Sequence, residues 1–280
     1  MRKLAHLVNT RLHNLEKLGF TFYRAQNITN DGLAFFNENK HVQSRKVKDL
    51  LLNFRLSTTV ADAGLEVLTS DITQRFPNLE NLALNFSACE NLTDQSLTTL
   101  SQRVSATWPN LKQLTLNFDE CPNISDAALT SIGQDLREHL RSLTKLELAF
   151  GSYESITDAG VQRLTAQIGE GLPHLVNLGL TFYGCLALTN DALVSLSSNI
   201  SQKLKGLEQL KLDFSACNGF REDQGLAAFG RNISENLTNL KQLHLIFSFC
   251  EDINTEGVKA LGSSLLNLHS LEELTLDFFE

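Results

Sequence analysis

The sequence predicts a curved α/β solenoid, a right-handed horseshoe with one parallel β-sheet along its concave side and α-helices along its convex side. Three observations predict it. An eight-residue segment such as LKQLTLNF at Leu111 recurs nine times, beginning at Leu15, Val47, Leu79, Leu111, Leu143, Leu175, Leu207, Leu240 and Leu271, in steps of 32 residues apart from one of 33 and one of 31. Within each copy the apolar residues change from alternation to a helical spacing, the change that separates a strand from a helix. Helix-starting and helix-stopping residues recur with the same period. A unit of one strand and one helix cannot bury its own apolar faces, whereas stacked units share a continuous core. Strands stack about 4.8 Å apart and packed helices need roughly 8 to 10 Å, so the sheet lies on the inside of the curve.

The strand comes first in each repeat. Counting the first residue of the segment as zero, offsets 3, 5 and 7 are apolar and those between are mostly polar, the alternation of a strand with one buried face. Offset 7 is Phe in all nine copies: Phe22, Phe54, Phe86, Phe118, Phe150, Phe182, Phe214, Phe247 and Phe278. A Phe in phase with two buried leucines points inward, so this column reads as a core spine rather than an aromatic binding strip.

The turn follows. All five cysteines, Cys89, Cys121, Cys185, Cys217 and Cys250, stand at offset 10, where other copies carry Ala25, Ser57 and Tyr153. A column that accepts Ala is not a nucleophile column. No His sits in the turn to lower a thiol pKa, and one thiol per repeat does not match the short spacings of zinc sites. These cysteines therefore read as small packing residues. An odd number of them, with no secretory signal, also argues against a disulfide framework.

The helix closes the repeat. Thr93-Asp94, Ser125-Asp126, Thr157-Asp158 and Thr189-Asn190 supply oxygens to the free amides of a first helical turn. Apolar residues at offsets 18, 21, 25 and 29, such as Leu129, Ile132, Leu136 and Leu140, lay one stripe along the helix. Pro77, Pro109 and Pro173, all at offset 30, stop it.

A pattern L-x-x-L-x-L followed by a Cys or Asn rung and a helix resembles the leucine-rich repeat, specifically its long helical ribonuclease-inhibitor-like and cysteine-containing types. The likeness covers nearly the whole chain, with two extra residues that bring in the Phe and move the Cys to offset 10. It implies a non-catalytic scaffold that binds a protein or peptide partner on its concave sheet.

Composition bounds the remaining possibilities. The chain reads as a single domain, residues 1–280, whose first 14 residues carry Leu4, Val8 and Leu12 in the helical positions of a partial repeat. A formal charge of −8, with Lys and Arg nowhere collected, argues against nucleic acid. No apolar run approaches the roughly 20 residues of a membrane span, so no membrane insertion is expected. An intracellular, cytoplasmic protein is expected, and the seven N-x-S/T sequons read as a by-product of composition. No cofactor is expected, since no phosphate-cradling glycine loop, metal-ligand cluster or nucleophile and base pair stands outside the repeat columns.

Offsets 2, 4, 6 and 8 face out from the strands and vary, as a recognition surface can. From these come the candidate contact residues Tyr23, Arg55, Asn85, Asn117, Asp119, Glu147, Tyr183, Lys211, Asp213 and His244. Tyr23, Arg55 and Tyr183 lead, because Tyr and Arg are frequent binding anchors. Asn53, Asn85 and Asn117 are consistent either with a bound polar chain or with hydrogen bonds to one another across neighbouring strands. Glu272, Glu273, Asp277 and Glu280 make one end acidic, whereas Arg24 and Arg55 lie toward the other. The polar segment Asn37 to Lys46 interrupts the first helical stripe and reads as an irregular outer stretch or a docking loop. Neither end carries a capping repeat, which leaves open a structural role in a larger assembly, including head-to-tail self-association.

Overall fold

A computed structural model of the chain describes residues 14–34, 43–151, 154–221 and 223–279. The predicted helix of the first 14 residues falls almost wholly outside the described residues, as does most of the segment from Asn37 to Lys46. The solenoid class is borne out. One open parallel sheet runs in chain order through β1 (Lys17–Thr21), β2 (Asp49–Asn53), β3 (Asn81–Asn85), β4 (Gln113–Asn117), β5 (Lys145–Ala149), β6 (Asn177–Thr181), β7 (Gln209–Asp213), β8 (Gln242–Ile246) and β9 (Glu273–Asp277). Seven α-helices among the described residues form the other layer: α1 (Asp62–Arg75), α2 (Asp94–Thr107), α3 (Asp126–His139), α4 (Asp158–Gly171), α5 (Asn190–Lys203), α6 (Asp223–Asn236) and α7 (Thr255–Leu265). A short 3-10 turn, Asn30–Leu33, precedes β2.

Register is set by the repeat. Each strand residue pairs with the equivalent residue of the next copy, Asn85 beside Asn117 and Leu114 beside Leu146. A slip by one residue would turn both leucines of a strand to solvent, so burial locks the pairing. Leu114, Leu116 and Phe118 are buried inward, together with Ile132 and Leu136 of α3 and Leu140 at its C-terminus. The phenylalanines stack face on face in two runs. Ring centroids are 5.0 Å apart for Phe22 and Phe54, 5.3 Å for Phe54 and Phe86, and 5.6 Å for Phe86 and Phe118. The second run, Phe182 to Phe278, keeps 5.5 to 5.7 Å. Phe150 between them is equally buried, but among the described residues it joins neither run.

The Thr-Asp pairs do more than start helices. The Thr93, Ser125, Thr157 and Thr189 oxygens each accept the amide two residues on, at 3.2 Å, as expected of N-caps. The carboxylate that follows the cap then reaches across to the next repeat. Asp94 accepts both the amide and the hydroxyl of Ser125 at 2.7 Å, and Asp126 accepts those of Thr157 at 2.9 and 2.6 Å. Asp62 and Asp158 do the same for Thr93 and Thr189. Two charge-assisted bonds per seam tie the helical layer together. This clamp runs out at α5, whose first residue is Asn190 rather than Asp. The next repeat is the one with 33 residues, and Asn190 Oδ1 is buried with no hydrogen-bond partner among the described residues.

Candidate functional site: the inner face and its rim

Strand periodicity turns offsets 2, 4 and 6 toward the inside of the curve, and small residues at offset 4 hollow it out. Around Gly19, Leu51 and Ala83 lies a depression of about 510 Å³, walled by Lys17, Asp49 and Asn81. Lys17 Nζ stands 3.0 Å from Asp49, which also accepts the Asn81 amide at 2.5 Å. These contacts hold the Asp49 carboxyl below its ordinary pKa, the Asn81 hydrogen bond first and the Lys17 charge after it. Leu51 lies on this surface 48 % exposed. None of these residues is among the sequence candidates. The signal was present, since Leu51 is a large apolar residue in an outward column.

A second depression, of about 190 Å³, opens over Gly179 and brings together three predicted residues, Asn117, Glu147 and Lys211. Glu147 accepts Thr115 Oγ1 at 3.1 Å and lies 3.0 Å from Lys145 Nζ. His244 is set apart, 3.6 Å from Glu273 of β9. Tyr23 and Tyr183 stand 55 % and 40 % exposed, but five repeats apart on the rim, with the Arg24 guanidinium 5.7 Å above the Tyr23 ring.

The asparagines have a different occupation from either one expected. Asn53, Asn85 and Asn117 each accept, through Oδ1, the backbone amide two residues later, at 2.9 to 3.0 Å. Asp213 and Asp277 do likewise for Ser215 and Phe279. These are Asx turns, which end β2, β3, β4, β7 and β9 and bend the chain out of the sheet. The carbonyl oxygens of Asn85 and Asn117 are therefore engaged locally, not in a ladder across strands.

The bend is sharp enough to place the residue at offset 9 in the left-handed region, with φ of 53 to 64° at Arg24, Leu56, Ala88, Glu120, Gly184, Ala216 and Phe249. Only one of these is glycine. A non-glycine residue there costs on the order of 1 kcal/mol, offset here by inter-repeat bonds such as Ala88 N–H to the Asp119 carbonyl, 2.8 Å.

The next column resolves the cysteines. Each thiol donates to the carbonyl of the Phe one repeat earlier: Cys121 to Phe86 at 3.3 Å, Cys217 to Phe182 at 3.0 Å, Cys250 to Phe214 at 3.0 Å. Ser57 does the same toward Phe22 at 2.9 Å. Burial pushes the Cys121 thiol up to about 12 and those of Cys89 and Cys250 up to about 11. Thiols so raised carry very little thiolate at neutral pH and are poor nucleophiles. Among the described residues no group of three or more His, Cys, Asp and Glu side chains is arranged to hold a metal ion. No helix among them is long and apolar enough to cross a membrane.

Asp119 is the exception on the rim. Its Oδ1 is buried without a hydrogen-bond partner among the described residues. The carboxylate lies against Gly151, where a Cβ would overlap it and would come within 2.9 Å of the Tyr183 carbonyl. Burial raises its pKa to about 6; the Glu120 charge adds to the rise, a hydrogen bond from the Glu120 backbone opposes it, and the Asp213 and Arg55 charges follow with opposite signs.

No family model and no curated protein matches this sequence. Among solved structures, the chain is similar to Rad7 in the yeast Rad7 and Elc1 complex, at 16 % identity and TM-score 0.40, covering 97 % of this chain and 68 % of that one. It is also similar to the leucine-rich repeat-containing protein LegL7 of Legionella pneumophila, at 14 % identity and TM-score 0.41, covering 96 % and 85 %. A third, actin-binding site 2 of leiomodin-1, aligns at 10 % identity and TM-score 0.35, over 70 % and 87 %. At these levels the likeness extends to neither function nor partner. The fold is leucine-rich-repeat-like on its own topology, nine parallel strands in chain order that alternate with seven helices among the described residues, with the leucines inward.

Proposed function

We propose that this protein is a non-catalytic scaffold of the ribonuclease-inhibitor-like, cysteine-containing type, which holds a protein or peptide on the concave face of its sheet. One observation carries the reading. The inner face presents two adjacent depressions, hollowed at Gly19, Ala83 and Gly179, carrying Leu51 and bordered by polar and charged side chains, along a backbone held by strand pairing and the aspartate clamp. Pre-organised concavity with varied side chains suits recognition, because little ordering entropy is lost on binding. Glu147, Lys211 and Leu51 lie on the two depressions, with Tyr23, Arg55 and Tyr183 on the rim and His244 toward β9.

A second reading, incorporation into a larger assembly through the solenoid end, is favoured by β9. Among the described residues this strand pairs on one side only, and Leu274 is 48 % exposed on it. The two readings separate in one experiment. Peptides selected by phage display on the wild-type protein should bind a Lys211→Ala, Tyr183→Ala double variant at least about tenfold more weakly and a Leu274→Asp variant equally well. Binding that survives the double variant and is lost in Leu274→Asp would replace the concave-face reading with the second one.

A further inference from the structure

The depression over Gly179 is framed by one column of the sheet. Glu147 of β5 is the register partner of Gly179 of β6, and Gly179 is that of Lys211 of β7. Neighbouring strands lie about 4.8 Å apart, so the two charged residues flank the glycine with their backbones roughly 10 Å from each other. The free space between them, about 190 Å³, is also lined by Asn117 and Thr181. A Cβ on Gly179 would stand only 3.2 Å from Glu147 Cγ, so the absence of a side chain keeps this space open.

The two charges are not equivalent. Both Glu147 oxygens are engaged, Oε1 at 3.0 Å from Lys145 Nζ and Oε2 accepting from Thr115 Oγ1 at 3.1 Å. Lys211 is exposed, and among the described residues its ammonium has no ion pair and no hydrogen bond. The other basic side chains of the inner face differ: Lys17 and Lys145 each stand 3.0 Å from a carboxylate, and His244 stands 3.6 Å from Glu273. The acceptors nearest Lys211 on its own strand are turned elsewhere. Asp213 Oδ1 accepts the Ser215 amide at 3.0 Å and its hydroxyl at 2.6 Å, and Gln209 Oε1 accepts the Asn177 side-chain amide at 2.6 Å. The Thr181 hydroxyl, on the same depression, likewise has no partner among the described residues. Spare donors thus face the space while the carboxylate across it is already satisfied, so the group that completes it is a negatively charged acceptor.

Resting on the concave-face reading above, we propose that the depression over Gly179 seats the carboxylate of an aspartate or glutamate side chain in an extended segment of the partner, with Lys211 as its counter-ion and the Thr181 hydroxyl as a second donor. One ammonium balances one carboxylate. A phosphate dianion would keep a surplus negative charge facing Glu147 and Asp213, and that repulsion selects the monoanion.

The test uses random linear peptides selected by phage display on the wild-type protein. Those of interest are weakened at least about tenfold by Gly179→Thr, which fills the depression with the residue type the same column carries at Thr115. Each should contain an acidic residue whose replacement by its amide, Asp to Asn or Glu to Gln, costs about five- to tenfold on the wild type. The same replacement should cost nothing further on Lys211→Met and its full amount on Lys211→Arg. Lys211 is exposed, so both variants should unfold at the wild-type temperature. Equal losses on the wild type and Lys211→Met, or peptides of this class without an acidic residue, overturn the proposal. So does binding that C-terminal amidation of the peptide abolishes while its acidic side chains prove dispensable, since the seat would then take a chain terminus. If Leu51→Asp weakens selected peptides and Gly179→Thr weakens none, the carboxylate seat falls and the scaffold reading stands; if neither weakens any, both fall.

Discussion

Two neighbouring seams run side by side along the same rim and differ. Where the repeat beginning at Leu79 meets the one at Leu111, the Phe86 and Phe118 rings stack, Cys121 donates to the Phe86 carbonyl, and Ala88 donates to the Asp119 carbonyl. Where the repeat at Leu111 meets the one at Leu143, the ring stack stops, the rim bond from Glu120 to Gly151 is missing among the described residues, and the Asp119 carboxylate is packed against Gly151 with its Oδ1 buried. Yet strand pairing from Asn117 to Ala149 and the clamp from Asp126 to Thr157 are the same as elsewhere. The sheet ladder and the outer clamp therefore hold one repeat on the next, and the inner rim can depart from the pattern without loss of register.

The contrast is broken most strongly through the spine. Phe118→Ala should cost about 3 to 5 kcal/mol, because a fully buried ring is removed from a stacked column. Phe150→Ala should cost about 1 kcal/mol less, since Phe150 is buried without stacking. Urea unfolding midpoints check both, and equal losses would mean that stacking contributes nothing to the difference between the seams. The clamp gives the next effect. Asp126→Ala removes two charge-assisted bonds to Thr157 and should destabilise by about 1 to 2 kcal/mol. Asn190→Ala, at the same helical position where the clamp has ended, should change stability by less than about 0.5 kcal/mol, read from thermal unfolding.

The smallest effect is the most specific. The Asp119 carboxyl titrates near 6 when folded, above its ordinary 3.8, so the folded state holds the proton more tightly than the unfolded chain does. The associated stability is present below the ordinary value and is lost as pH rises through the folded one. Asp119→Asn, which does not titrate, should therefore stabilise the protein at pH 8 by about 1 kcal/mol after allowance for solvent screening, with the gain vanishing near pH 4. Chemical denaturation at the two pH values checks it. A gain that is independent of pH would mean that the side chain is strained rather than desolvated.

Much of this molecule is legible in its residues alone. The period, the strand and helix phases, the Phe column and the helix caps follow from local spacing, because each depends on which face of a strand or helix a residue occupies. The Cys column is legible as packing, and Ser57 standing in it hints that the position wants a donor. The asparagines mislead because an Asx turn uses the same residue type as a polar ladder; their place at the end of each strand, just ahead of the left-handed bend, is what tells the two apart. That bend itself is invisible in the sequence, since Arg24, Leu56 and Phe249 are residues no propensity argument would place at positive φ.

The contacts that tertiary structure alone decided lie between residues about one repeat apart. The 31-residue reach from Asp94 to Ser125, the 35-residue reach from Cys121 to Phe86, and the placement of Asp119 over Gly151 have no local signature. Periodicity determines which column a residue belongs to. Whether that residue's hydrogen-bonding groups are already used is set by its neighbours in adjacent repeats, and that is what separates Asn117, whose Oδ1 is closed on its own turn, from Asp119, whose Oδ1 is buried against Gly151.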